Sequence, residues 1–355
     1  MYGHLLIIGV AGPSLSAEEA SFYQRIQPSG FILFSRNIVD APQTRKLTDD
    51  LRGLFSYEPI IAIDQEGGRV TRTKDIAPVC PSAVDLAAKN TQHLIAEAGS
   101  LTADILRLLG CNLNFAPVLD IDHFPSLQNA LRERCWGVES QSIINNAGMW
   151  NRWLRKRSMR SCAKHFPSCG LATSDPHHDL PIAQLGIDEL LRNDILPYTA
   201  LMPELDAIMT SHVRFPLLDD VHPASLSPKI INGFLRGQLG FDKHLVLTDD
   251  LDMAAIGKAY GRGPDVVQAI TAGNDIALIC HEIVSAEVAV NALKTLPISI
   301  VDDSLARIEA FRKKLFAPLK WSTETWQKTC ADIEKLSAEV PSATEVKAHS
   351  PVADY

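Results

Sequence analysis

The stretch CAKHFPSCGLATSDPHHDLP, residues 162–181, contains the pattern on which the fold prediction rests. Cys162 to His165 are predicted to end a buried strand. Pro167 and Gly170 then interrupt the strand, and a polar loop reaches the Asp-x-His at 175–177. A lysine and a histidine at a strand end, followed by Asp-x-His on a loop, place acid and base groups within reach of one pocket. A polar surface loop that contains three histidines is the alternative.

The same pattern, an apolar run that ends in polar residues, recurs along the chain. The runs are LLIIG (5–9), GFILF (30–34), PIIAI (59–63), NLNF (112–115), CAKH (162–165), AIM (207–209), HLVL (244–247) and IALI (276–279). Continuous apolar runs are typical of buried parallel strands, and helical patterns separate them. Eight such units predict an α/β fold of the (β/α)8 TIM-type barrel class. A doubly wound open sheet is the alternative, but no Gly-x-Gly-x-x-Gly follows the first run.

Polar residues follow seven of these runs. They are Ser35, Arg36, Asn37, Asp64, Gln65, Glu66, Asp120, Asp122, Lys164, His165, Ser211, His212, Asp249, Asp250 and His281. In a barrel these positions converge at the C-terminal face, where active sites are built. We expect residues 1–318 to form the barrel and residues 319–355 to form a helical or irregular appendage.

Composition and charge restrict the class of function. The net charge of −8 argues against nucleic acid as a partner, because phosphate binding requires a basic face. The seven cysteines include no Cys-x-x-Cys pair, which argues against a zinc ribbon or a disulfide framework. The N-terminus resembles no signal peptide, and no apolar run reaches the ~18 residues of a spanning helix. We therefore expect a cytoplasmic protein without a membrane partner, as a monomer or weak homodimer.

The segment IAIDQEGGRVTR, 61–72, combines an acid, two glycines and two arginines. Asp64 at a strand end is predicted to face the pocket. Gly67 and Gly68 allow a sharp turn, and Arg69 and Arg72 offer forked hydrogen-bond donors. A strand-to-helix turn with a surface ion pair is the alternative.

The segment LVLTDDLDMAAI, 245–256, places Asp249 directly after an apolar run. Such a carboxylate serves as a nucleophile or a metal ligand. We expect the adjacent Asp250 to cap the helix that follows. A magnesium site on Asp249, Asp250 and Asp252 is a weaker alternative.

A carboxylate nucleophile requires a partner that protonates the leaving oxygen and later activates water. His177 suits that role, because the imidazole titrates near neutral pH, and Asp175 is placed to orient it. His178 is an alternative on sequence alone. Lys164 and His165 are expected to bind substrate hydroxyls on the pocket wall, although a core histidine is the alternative for His165.

Taken together, these segments resemble glycoside hydrolase family 3, and within it the single-domain bacterial β-N-acetylhexosaminidases of peptidoglycan recycling. The matching segments are GFILFSRN (30–37), IDQEGGRVTR (63–72), FAPVLDID (115–122), ER (133–134), KHFPSCG (164–170) with SDPHHDLP (174–181), DAIMTSH (206–212) and LRGQLGFDKHLVLTDDLDM (235–253). They occur in family order over roughly residues 5 to 315.

The resemblance implies a retaining mechanism without metal or cofactor. It implies Asp249 as nucleophile, His177 as acid/base with Asp175 as its partner, and sugar binding by Asp64, Arg72, Arg134, Lys164 and His165. The roles of Arg72 and Arg134 come from the resemblance alone.

The chain departs from the family pattern at three places. KHFPSCG replaces the usual Lys-His-Phe-Pro-Gly-His-Gly, so Ser168 and Cys169 stand for glycine and histidine. Pro176 replaces serine in Asp-Ser-His, and Lys243 replaces a glycine. These departures leave every proposed catalytic group in place.

The predicted activity is exo-β-N-acetylglucosaminidase, acting on GlcNAc–anhydroMurNAc peptides from peptidoglycan. A family 3 β-glucosidase, β-xylosidase or phosphorylase is one alternative. A barrel that binds sugar without turnover is another, and the altered KHFPSCG segment favours it.

Overall fold

The computed structural model describes residues 1–125, 130–171 and 180–342. Within these residues, parallel strands form a closed barrel in which the first strand pairs with both the second and the last. The strands are β1 (Leu6–Gly9), β2 (Gly30–Leu33), β3 (Ile60–Ile63), β4 (Leu113–Asn114), β5 (Arg160–Phe166), β6 (Ala207–Thr210), β7 (Leu245–Asp250) and β8 (Ile276–Ile279). The predicted (β/α)8 barrel is confirmed, and each strand overlaps one predicted apolar run.

Helices cover the outside of the barrel. They are α1 (Ala17–Ile26), α2 (Ala41–Arg52), α3 (Ala83–Lys89), α4 (Gln92–Leu108), α5 (Ser140–Lys156), α6 (Ile187–Arg192), α7 (Leu196–Leu201), a π-helix (Lys229–Gln238), α8 (Ala254–Tyr260), α9 (Pro264–Ala272), α10 (Ala286–Leu293), α11 (Ile298–Arg312) and α12 (Thr323–Glu339). None of these helices is both long and apolar enough to cross a bilayer.

The strands are buried on both faces, which explains their unbroken apolar sequences. All four residues of β1, β2, β3, β6 and β8 are buried, because each strand packs against side chains inside the barrel and helices outside it. The polar residues that follow the strands are thereby brought to one face.

A short hairpin follows β3 and projects from this face. Gln65–Gly67 pairs antiparallel with Val70–Thr71. Gly67 and Gly68 have φ of +96° and +54°, and a Cβ on Gly67 would lie 2.6 Å from the carbonyl oxygen of Pro81. Only glycine fits such a turn without strain, so the sharp turn predicted from the two glycines is present.

The chain after the barrel continues as an outer helix. The backbone N–H of Leu319 donates to the carbonyl of Arg107 at 3.1 Å, and α12 then packs against α4. Farther along α12, the Ser337 hydroxyl donates to the carbonyl of Val79 at 2.9 Å. The division between a barrel at 1–318 and an appendage at 319–355 stays a prediction.

Candidate active site

A cavity opens at the C-terminal ends of the strands. Its polar lining includes six of the eight predicted site residues, which lie at or after the ends of the four strands β3, β4, β5 and β7: Asp64, Arg72, Arg134, Lys164, His165 and Asp249. Its apolar lining includes Ile32, Phe34, Val70, Phe115, Met209, Met253 and Leu278. Polar groups that converge in a partly apolar cavity are typical of a small-ligand site.

Asp249 lies near the end of β7 and is partly exposed to the cavity. Its Oδ1 accepts the backbone N–H of Asp250 at 2.8 Å. Burial alone would raise the pKa of Asp249, but His165, His212, this amide and Lys164 outweigh burial and hold the pKa below its ordinary value. The carboxylate is therefore ionised at neutral pH, as a nucleophile must be.

Lys164 lies at the centre of a buried ionic network. Its Nζ is 2.7 Å from Asp64 Oδ1 and 2.6 Å from Glu66 Oε1. Arg134 binds both oxygens of Glu66, at 2.8 and 2.9 Å, and Arg72 Nη2 lies 3.4 Å from Asp64 Oδ2. Forked guanidinium contacts of this kind fix the geometry of both partners.

Glu66 is the member of this network that the sequence analysis did not assign to the site. Burial alone would raise the pKa of Glu66, but Arg134 and Lys164 hold it well below its ordinary value. Glu66 follows Asp64 by two residues in an extended segment, so the two side chains point to the same side. This two-residue spacing is the sequence feature from which Glu66 could have been predicted as a site residue.

His165 is oriented by a second carboxylate that was not assigned to the site. Asp120 Oδ2 lies 2.7 Å from His165 Nδ1 and also accepts the backbone N–H of His165 at 3.1 Å. The carboxylate requires a proton on Nδ1, which directs Nε2 to other partners. His165 is thus a buried histidine with a defined ring orientation, and it lines the cavity as predicted.

One group of side chains has the composition of a metal site. Ligand atoms of Asp120, His165 and Cys169 lie within 4.8 Å of one another. The hydrogen bond between Asp120 and His165 already occupies Oδ2 of Asp120 and Nδ1 of His165. Burial, together with Asp120 and Asp249, raises the pKa of the Cys169 thiol well above its ordinary value. In this structure Asp120 therefore serves to orient the ring of His165.

The prediction that Asp250 caps the following helix is wrong. Helix α8 begins at Ala254, and its N-cap position is Met253. Asp250 Oδ1 instead accepts the backbone N–H groups of Asp252, at 3.0 Å, and Cys280, at 3.3 Å. The chain makes a turn before the helix, and Asp250 stabilises that turn.

The magnesium alternative on Asp249, Asp250 and Asp252 is not supported in the part of the chain that the structure describes. Asp252 forms an ion pair with Arg262 and accepts the backbone N–H of His281 at 2.7 Å. The three carboxylates do not converge on a common point suited to an ion.

Two predicted catalytic residues, Asp175 and His177, lie outside the described residues, as does the alternative His178. Their roles stay predictions. Arg69 was considered with Arg72, but Arg72 lines the cavity and Arg69 is not part of its lining.

Comparison with known proteins identifies the family. Residues 2–311 match the glycosyl hydrolase family 3 N terminal domain. A β-hexosaminidase of Pseudomonas aeruginosa is 33% identical over 316 residues, which cover 88% of this chain and 92% of that protein.

Solved structures agree with this match. A glycoside hydrolase family 3 β-N-acetylglucosaminidase from Paenibacillus is 31% identical, with a TM-score of 0.88 over 96% of this chain and 68% of that one. NagZ from Neisseria gonorrhoeae is 27% identical, with a TM-score of 0.81 over 94% of this chain and 97% of that one. NagZ has also been solved with N-trifluoroacetyl-D-glucosamine. The chain therefore belongs to glycosyl hydrolase family 3, as its sequence predicts, and is a glycoside hydrolase.

Proposed function

We propose that this protein is a retaining exo-β-N-acetylglucosaminidase that removes non-reducing terminal GlcNAc from peptidoglycan fragments. The substrates would be GlcNAc–anhydroMurNAc peptides. The observation that carries the proposal is the position of ionised Asp249 in the same cavity as the Lys164 network. The names of the β-hexosaminidase and β-N-acetylglucosaminidase relatives support the same activity.

The cavity suits the end of a sugar chain. A terminal sugar presents several free hydroxyls, each of which both donates and accepts hydrogen bonds. Asp64 offers acceptors, while Arg134 and Lys164 offer donors, and their mutual contacts hold them in place before the ligand arrives. Such preorganisation lowers the entropy cost of binding.

The proposed reaction has two steps, which are formation of a glycosyl-enzyme ester on Asp249 and its hydrolysis by water. An Asp249 oxygen forms a bond to C1 while the glycosidic bond breaks, and His177 gives its proton to the departing oxygen. His177 then takes a proton from water, whose oxygen bonds to C1 as the ester to Asp249 breaks. The product keeps the β configuration, as in other retaining glycosidases.

The test compares p-nitrophenyl β-GlcNAc with p-nitrophenyl β-glucoside, each with and without phosphate, for wild type, Asp249→Asn and His177→Ala. We expect release specific for GlcNAc that requires Asp249. Faster release from the glucoside, or release that requires phosphate, would replace the proposal by a β-glucosidase or a phosphorylase. Saturable GlcNAc binding without turnover would replace it by a sugar-binding barrel.

The substrate class needs its own measurement. Muropeptide fragments ending in GlcNAc would be incubated with the enzyme, and released sugar would be followed by chromatography and mass spectrometry. We expect GlcNAc–anhydroMurNAc peptides to give a higher kcat/KM than chitobiose. A preference for chitobiose would contradict the peptidoglycan part of the proposal and leave the activity itself intact.

A further inference from the structure

A buried polar cluster holds the turn that follows β5. None of its residues lines the cavity. Ser168 Oγ donates to Asp194 Oδ1 at 2.7 Å, and the backbone N–H of Gly170 donates to Ser168 Oγ at 3.1 Å. Ser168 and Asp194 are 1% and 2% exposed. We call Ser168, Asp194 and their third partner, His123, the turn anchor.

Asp194 joins three separate segments of the chain. It lies between α6 and α7, whereas Ser168 follows β5 and His123 follows β4. His123 Nε2 lies 3.0 and 3.2 Å from the two oxygens of Asp194. A buried carboxylate is costly unless it is hydrogen-bonded, so these two partners are needed to keep Asp194 inside the fold.

The charged groups with the largest influence on the pKa of His123 are all carboxylates: Asp194, Asp120 and Asp122. The hydrogen bond to Asp194 is the largest influence and raises the pKa of His123; burial lowers it, and Asp194, Asp120 and Asp122 raise it further. The ion pair with Asp194 is therefore strongest when the ring is protonated, and it weakens as the pH rises through this raised pKa.

The turn is also in close contact with the segment that carries the histidine-orienting carboxylate. A Cβ on Gly170 would lie 1.9 Å from the carbonyl oxygen of Ile121, so the two backbones touch. The backbone N–H of Cys169 donates to Asp120 Oδ1 at 2.6 Å, and Asp120 Oδ2 holds the ring of His165. A shift of the turn would therefore be transmitted to Asp120 and to a residue of the cavity.

We propose that Ser168, Asp194 and His123 are positioning residues for the glycosidase reaction. They fix the turn from which the chain continues into the 172–179 segment, and through Asp120 they fix the ring of His165. The inference rests on the proposed function for its catalytic consequence.

The anchor should act on the chemical step more than on ground-state binding. Loss of the Ser168 hydroxyl would leave Cys169 and Gly170 less constrained, so reacting groups would reach their productive geometry less often. We expect Ser168→Ala to lower kcat by about 10–100-fold with KM changed by less than about threefold. Ser168→Thr, which keeps the hydroxyl, should recover part of the loss.

The chain offers a matched control. Ser227 Oγ donates to the buried carboxylate of Asp219 at 2.6 Å and is itself fully buried, but neither residue lines the cavity. Ser227→Ala removes the same kind of hydrogen bond elsewhere. We expect a comparable loss of thermal stability and a kcat within about twofold of wild type.

The pH profile tests the role of His123. His123→Gln keeps a neutral donor toward Asp194 but cannot titrate. In wild type we expect one component of kcat to fall as the pH rises through the pKa of His123, and in His123→Gln this component should be absent. An unchanged profile in the variant would exclude His123 from the anchor.

Hydrogen exchange separates this inference from the proposed function. Exchange of the peptide that contains Cys169 and Gly170 would be measured in wild type, Ser168→Ala, Asp194→Asn and Ser227→Ala, without substrate. Faster exchange in the first two variants alone supports the anchor even if the enzyme hydrolyses none of the tested sugars. Equal exchange in all variants, or equal kcat losses in Ser168→Ala and Ser227→Ala, would overturn it.

Discussion

The two sides of the cavity shift the pKa values of Glu66 and Asp250, two buried carboxylates, in opposite directions. On the hairpin side, formed by Asp64, Glu66, Lys164 and Arg134, each carboxylate contacts a cation. On the β7 side, Asp249 and Asp250 line the cavity and Asp252 follows them, so acidic residues lie close together along the chain. The pKa of Glu66 is held far below its ordinary value, whereas burial, Asp252 and Asp249 raise the pKa of Asp250 to about 8. Neighbouring charges, and not residue type, decide which acid is ionised.

On the β7 side, Asp249 must remain ionised although it lies next to Asp250, which is neutral at pH 7. Asp249 keeps a lowered pKa because His165, His212 and Lys164 act on it. Neutral Asp250 adds no negative charge next to it, so the nucleophile and its neighbour need not repel each other at neutral pH. The comparison thus assigns charge to Asp249 and neutrality to Asp250.

The largest expected effect is on the nucleophile itself. Asp249→Asn preserves shape but replaces the carboxylate by an amide that does not attack C1. We expect kcat for p-nitrophenyl β-GlcNAc to fall by about 10⁴-fold or more, with KM changed far less. Steady-state kinetics would check this. A residual rate within about tenfold of wild type would remove Asp249 from the chemistry.

The next effect concerns the stability of the hairpin side. Glu66→Gln removes the buried carboxylate that pairs with Arg134 and is one of the two carboxylates beside Lys164, and we expect a loss of about 3–5 kcal/mol in the free energy of unfolding. Glu58→Gln is the control, because its 2.7 Å contact with Arg52 is 38% exposed on the Glu58 side and should contribute below about 1 kcal/mol. Urea denaturation of both variants gives the two numbers. Equal losses would mean that burial adds nothing to the network.

Replacing Asp250 by its neutral amide should stabilise the fold, whereas Glu66→Gln should destabilise it. Its folded-state pKa of about 8 lies above the unfolded value, so the favourable contribution is complete below about pH 4 and is lost as the pH rises to 8. Asp250→Asn mimics the neutral acid at every pH. We expect it to be more stable than wild type by up to about 5 kcal/mol at pH 8, with a much smaller difference at pH 4.

The same denaturation series, repeated from pH 4 to pH 9, measures this trend. A difference between Asp250→Asn and wild type that shrinks as the pH rises would show that Asp250 is ionised in the folded protein. The contrast between the two sides of the cavity would then be lost.

The fold was predictable because most barrel strands are continuous apolar runs that end in polar residues. Asp64, Lys164, His165 and Asp249 were also predictable, since each stands at a strand end and the barrel topology brings strand ends together. Arg134 required the family resemblance, because it lies in a loop rather than at a strand end.

Other features depend on contacts that no local pattern encodes. Glu66 meets Arg134 across 68 positions of sequence. Asp250 was predicted to be a helix cap because an acid before a helix usually caps it, but the turn at 250–253 delays the helix to Ala254. The lowered pKa of Glu66 follows from tertiary neighbours, whereas the raised pKa of Asp250 follows from burial together with its sequence neighbours Asp252 and Asp249.

The smallest expected effect is a change in KM on replacing Phe34, whose ring contacts arginines from two parts of the chain. The ring of Phe34 lies between two guanidinium groups, with Arg36 4.6 Å and Arg72 5.4 Å from its centroid. Arg72 also contacts Asp64 on the hairpin side, whereas Arg36 donates to the carbonyl of Cys280, directly after β8, at 2.6 Å. Phe34 therefore links the hairpin to the chain that follows β8 through two cation–π contacts.

Phe34→Leu keeps an apolar side chain and removes both contacts. Each is worth about 0.5–1 kcal/mol, so we expect KM for p-nitrophenyl β-GlcNAc to rise by about three- to fivefold as Arg72 loses one of its supports. Phe22→Leu is the control, because the Arg25 guanidinium lies 5.7 Å from the Phe22 ring on α1, away from the cavity. The control should leave KM unchanged. If both variants leave KM unchanged, Arg72 is held by Asp64 without help from Phe34, and the two sides of the cavity act independently.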